Sequence, residues 1–105
     1  MSRIGLVHTS ATLVPTFAAL CAAKLPGVEV VNLVDDSLIK QVIREGELRP
    51  EVARRVLRQI VAAAETGADL VLVTCSSIGP AVEAAAPFVG VPVLRVDQAM
   101  ADRAA

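Results

Sequence analysis

Aromatic side chains are nearly missing from this 105-residue chain, which has two Phe, no Trp and no Tyr. That removes the stacking platform on which single-stranded nucleic acid is usually held. Excess charge is missing too: ten Lys and Arg against eleven Asp and Glu leave a net charge of -1. Nothing here pulls strongly on a phosphate backbone, and the cluster Arg54, Arg55, Arg58 reads as the wet face of a helix. One His and two Cys are too few and too scattered for a metal site within one chain. The two cysteines also lack disulfide spacing, which fits a reducing cytoplasm. No segment approaches membrane-spanning length, and the apolar run in MSRIGLVHTS is too short for a signal peptide. The expectation is a soluble cytoplasmic domain with neither nucleic acid nor membrane as partner.

What the chain does have is aliphatic bulk. Hydrophobic residues make up 54% of it and the mean hydropathy is +0.60, enough for a filled core in one domain spanning 1–105. Residues 3–8, RIGLVH, form a short apolar strand followed by the turn residues Thr9, Ser10 and Thr12. Leu13, Phe17, Leu20 and Cys21 then recur at helical spacing up to Pro26-Gly27. VEVVNLV is a second strand, and Asp35, Asp36 and Ser37 offer caps for a helix that ends at Gly46. Pro50 opens the clearest helix, with Val52, Val56, Ile60 and Ala63 along one side. DLVLVTC is apolar on both faces, as a parallel strand covered by helices should be. An alanine-rich helix near 79–86, the strand VPVLRV and a last helix capped by Asp97 complete the alternation.

Strict alternation of strand and helix predicts an α/β three-layer sandwich on a four-stranded parallel sheet with right-handed crossovers. Order 2-1-3-4 places the longest apolar strands in the middle. In such sheets the working residues lie beyond the C-terminal strand ends, near the switch point between strands 1 and 3. His8-Thr9-Ser10 and Thr74-Cys75-Ser76-Ser77 both fall there.

Cys75 stands where a strand hands over to a helix. The amides of Ser76, Ser77 and Ile78 can hold an anion there, and the same field favours a reactive thiol. The plainer alternative is a small buried hydrophobe beside ordinary serine caps; the polar company favours the functional one. Cys21, one turn after Phe17 on an apolar face, reads as core. His8 could donate a hydrogen bond to a ligand or shuttle a proton, or be a satisfied structural histidine. Asp35 and Asp36 read as helix caps. Spacing excludes several cysteine chemistries: position 81 is Ala rather than the Arg of a C-x5-R loop, and position 78 is Ile rather than the second Cys of C-x-x-C. There is no G-x-G-x-x-G and no P-loop lysine. A thiol beside an anion pocket suits proton abstraction next to a carboxylate.

The segments IGLVHTSATLVPTFAAL, GADLVLVTCSSIGPAVEAA and VPVLRVDQAMA resemble the N-terminal lobe of the aspartate/glutamate racemase superfamily. The resemblance implies a flavodoxin-like half of a two-lobed fold whose lobes are related by a pseudo-twofold axis. It implies a substrate between the lobes, with one cysteine from each on opposite faces of its α-carbon, and no pyridoxal phosphate, metal or other cofactor. Cys75 matches the first-lobe cysteine. Ser76 and Ser77 take the places where the family often has Asn-Thr binding the α-carboxylate, and Thr9 and Ser10 fall in the substrate-facing loop. The superfamily's arylmalonate decarboxylases lack a first-lobe cysteine, so Cys75 argues against that activity. A second lobe is absent from these residues, which reads as a fragment or an isolated half.

Two expectations follow. In one, the lobe uses Cys75 for proton transfer, with His8, Thr9, Ser10, Ser76 and Ser77 on the substrate side, and pairs with itself as a homodimer. In the other, it is a non-catalytic α/β module that folds, self-associates and at most binds a small carboxylate or amino acid.

Overall fold

The computed structural model of the chain describes residues 2–75 and 78–96. The elements run β1 (Arg3–His8), α1 (Leu13–Lys24), β2 (Glu29–Val34), α2 (Asp36–Glu45), α3 (Pro50–Glu65), β3 (Leu70–Val73), α4 (Gly79–Ala85) and β4 (Val93–Arg95), with a short 3-10 turn at Ala86–Phe88. The four strands pair in parallel in the order β2-β1-β3-β4. This is the predicted α/β sandwich, a flavodoxin-like half. Two strands are shorter than their apolar runs: β3 stops at Val73 and β4 covers only Val93–Arg95. The ladder between them pairs only Val71 to Val73 with Val93 to Arg95, so Thr74 and Cys75 leave the sheet beyond its last rung.

Alternation along the strands divides the core. Val7, Val71 and Val73 face α3 and α4, where they pack with Val56, Ile60 and Ala85. Leu38 of α2 joins the same cluster. Ile4 and Leu6 face α1, where they meet Cys21 and Phe17. On α3 the buried residues are Val52, Val56, Ile60 and Ala63, the side predicted from spacing. Each fully buried Val or Ile there contributes about 1.5–3 kcal/mol, so this stripe alone fixes which face the helix turns inward. Gly5 lets the helix sit close, because a Cβ at that position would lie 3.2 Å from the Ala63 Cβ.

The other face is covered less well. Among the described residues only α1 packs on it, and that helix has a single charge, Lys24. Its outward positions Ala18, Ala19, Leu20, Ala22 and Ala23 are exposed yet apolar. Beside it runs an apolar groove of about 170 Å³ lined by Phe17, Leu20, Cys21, Lys24, Leu25 and Leu72. No helix among the described residues is long and apolar enough to cross a membrane.

The two edges of the sheet differ. At the N-terminal edge Arg3 closes the structure: its guanidinium bonds the Thr66 carbonyl and Glu29, and its backbone amide bonds Asp69. At the C-terminal edge the strand exits lie side by side, since Val7 pairs with Val73 and His8 with Val34.

Candidate active site at the C-terminal edge of the sheet

β1 ends in His8, and its parallel pairing continues one step further on each side. The Asp35 amide donates to the His8 carbonyl at 3.1 Å, and the Thr74 amide donates to the Val7 carbonyl at 3.1 Å. The exits of β1, β2 and β3 are therefore held in register where the chain leaves the sheet. Cys75 follows at once. It is half-buried, carries a free thiol and packs against the cluster on the α3 and α4 side.

His8 is completely buried. Its Nδ1 lies 2.8 Å from the Thr74 hydroxyl and its Nε2 lies 2.9 Å from the Asn32 side-chain oxygen. Phe17 of α1 tilts over the ring at a centroid distance of 5.9 Å. Both ring nitrogens thus meet protein partners, an arrangement closer to the structural alternative than to direct ligand contact. Thr9 is also buried, at 1% exposure. Ser10 is half-buried, with its hydroxyl 2.8 Å from that of Thr12. Ser76, Ser77 and Asp97 lie outside the described residues.

Three charged side chains, Asp35, Arg55 and Arg95, also stand on this edge. Asp35 caps α2, where its carboxylate accepts from the Ser37 amide at 3.0 Å and from Arg55 at 2.6 Å. Arg55 also bonds Ser37 and Gln41, so it is a cross-link between α3 and α2 rather than part of a simply wet face. Arg95, at the end of β4, is half-buried and lies 3.4 Å from Glu83 of α4. Its guanidinium crosses the first turn of α4 so closely that a Cβ at position 79 would collide with Nη1. A side chain at position 79 would have to displace the Arg95 guanidinium. Spacing along the sequence does not reveal Asn32, Arg55 or Arg95 as part of this edge. For Asn32 and Arg95 the available signal is a polar or charged residue inside or at the end of an otherwise apolar strand; Arg55, on α3, carries no such signal.

Burial opposes ionisation of Asp35, but the Ser37 hydroxyl and amide, followed by Arg55, outweigh it and hold the carboxyl below its ordinary value. A depressed carboxyl stabilises the fold fully above its unfolded value and loses that contribution as pH falls through the folded one. Asp35→Ala is therefore expected to cost roughly 1–2 kcal/mol at neutral pH, the usual loss of a good N-cap. The gap from the parent should narrow in acid, below the ordinary value of 3.8. Urea unfolding over a pH series checks this, and a pH-independent gap would exclude the carboxylate as the cause.

Among the described residues, no group of three or more His, Cys, Asp or Glu could hold a metal ion. Beside these charged groups the edge presents the Cys75 thiol, hydroxyls and backbone, which are suited to moving a proton beside a bound carboxylate. No curated protein and no solved structure matches this chain significantly. The sequence model of the Asp/Glu/Hydantoin racemase family matches residues 4–105, from the first strand through Cys75 to the last residue. With its parallel 2-1-3-4 sheet and a free thiol just past the central strand, this chain belongs to the Asp/Glu/hydantoin racemase family.

Proposed function

We propose that the chain is a lobe of a cofactor-independent amino-acid racemase of the Asp/Glu type, with Cys75 as the proton-transfer group. The observation that carries this reading is the position of Cys75. It is a free, half-buried thiol one residue beyond Thr74, on the edge where the exits of β1 and β3 meet. In the proposed reaction the Cys75 thiolate takes the proton as the α C–H bond breaks. The electron pair moves into the substrate carboxylate, and a thiol on the opposite face returns a proton to the carbon. Thr9, Ser10, Ser76 and Ser77 are the proposed carboxylate contacts.

The second thiol cannot be Cys21, which is buried in the core on the α1 side. It must come from outside these residues, and a second copy of the chain would supply its own Cys75. The proposal therefore includes a twofold homodimer, in a reducing compartment such as the cytoplasm that keeps both thiols free. The test is to incubate the protein with L-aspartate or L-glutamate in deuterium oxide. The α-proton signal should be lost from one of them while optical activity decays. Retention of the α-proton in both, and in related small acids, would overturn the reading.

A further inference from the structure

The proton-transfer reading uses Cys75 but gives no role to the buried polar chain beside it. His8 joins three neighbouring strands by itself: it belongs to β1, bonds Asn32 of β2 at 2.9 Å and bonds Thr74 beyond β3 at 2.8 Å. The Thr74 hydroxyl also lies 3.3 Å from the Val7 carbonyl, and its amide donates to that same oxygen at 3.1 Å. This polar chain lies on the α1 side, next to Leu6 and Phe17. Stability alone does not call for it, since three apolar side chains of similar size would close the same space without the cost of desolvating polar groups.

Its location suggests what it is for. β3 ends at Val73 and α4 begins at Gly79, so Thr74 and Cys75 have no strand ladder of their own. The backbone contact from Val7 and the side-chain contact from His8 extend order past that last rung, to the residue from which Cys75 departs. Cys75 itself turns to the opposite side, against the main core cluster. A fixed Thr74 therefore fixes the direction in which Cys75 leaves the sheet.

We propose that His8 is a positioning residue: through Thr74, and braced by Asn32, it aims Cys75 at the reacting carbon without touching the substrate. This rests on Cys75 as the proton-transfer group. A base that is misplaced by a fraction of an ångström transfers protons poorly even when substrate binds normally.

The test uses His8→Leu, Thr74→Val and Thr74→Ser in the full chain, with two readouts. The first is α-proton exchange, resolved into kcat and KM. The second is the iodoacetamide rate at Cys75, with Cys21 in the same molecule as internal control. His8→Leu and Thr74→Val should each lower kcat roughly 10- to 100-fold with KM little changed. Both should alter the Cys75 alkylation rate while leaving that of Cys21 alone, and Thr74→Ser should restore the parental behaviour. Thr74→Val is close to isosteric and keeps the experiment decisive should His8→Leu fail to fold. Unchanged kcat and unchanged Cys75 alkylation in Thr74→Val would overturn the proposal. A raised KM with kcat preserved in His8→Leu would also overturn it, because that pattern marks direct substrate contact. If the parent protein exchanges no α-proton, the racemase reading fails, whereas the alkylation rates still decide whether His8 and Thr74 orient Cys75.

Discussion

Cys75→Ser is expected to lower α-proton exchange by about 10²- to 10⁴-fold, the usual contribution of a positioned acid–base group. That corresponds to about 3–5 kcal/mol of barrier. The folded state should barely notice, because the side chain is half-buried and lies past the last rung of the sheet. A stability change within about 1 kcal/mol is expected for a near-isosteric change at such a position. This separation of activity from folding gives the prediction its force. The two thiols should also part in the unmutated protein: iodoacetamide should modify Cys75 well before Cys21, which is only 7% exposed on the inner face of α1. Retained exchange in Cys75→Ser would remove the thiol from the mechanism. Faster labelling of Cys21 than of Cys75 would show that the edge beyond β3 is closed to small molecules.

The architecture was legible because its signals are local and periodic. Val52, Val56, Ile60 and Ala63 recur at helical spacing, and those are the buried residues of α3. Asp35 precedes a short amphipathic run and caps it. Cys21, read as core from its place after Phe17, is buried. The strand order followed from strand–helix alternation and from the length of the apolar runs. What stayed hidden depends on pairs far apart in the chain. His8 and Asn32 are separated by 24 residues and His8 and Thr74 by 66, so no window of sequence contains the network. Arg55 reads as solvent-facing from its helical neighbours Arg54 and Arg58, yet it bonds Asp35 from 20 residues away. The overlong estimates of β3 and β4 have the same origin: apolar character continues past the point where a partner strand remains to pair with.

Leu20→Glu is expected to dissociate a homodimer, raising the dissociation constant at least about 100-fold, or roughly 2.7 kcal/mol. The argument begins with the composition of α1. A helix that is apolar all round is normally enclosed, but among the described residues α1 is covered on its inner side only. Leu20 is 46% exposed, and Leu25 and Leu94 are 42% and 39% exposed, while the neighbouring outward positions are alanines. Alanines let a second helix approach closely, and under a twofold axis the same patch meets itself. A glutamate at position 20 would then be buried without a partner, and its symmetry mate would stand close to it, so desolvation and like-charge repulsion add. Phe88→Ser is the control: this side chain is 76% exposed but lies on the connection between α4 and β4, away from α1. Sedimentation should show a dimer for the parent and for Phe88→Ser, and a monomer for Leu20→Glu. A parent that sediments as a monomer at high micromolar concentration would end the idea. A dimer that survives Leu20→Glu would move the interface off α1.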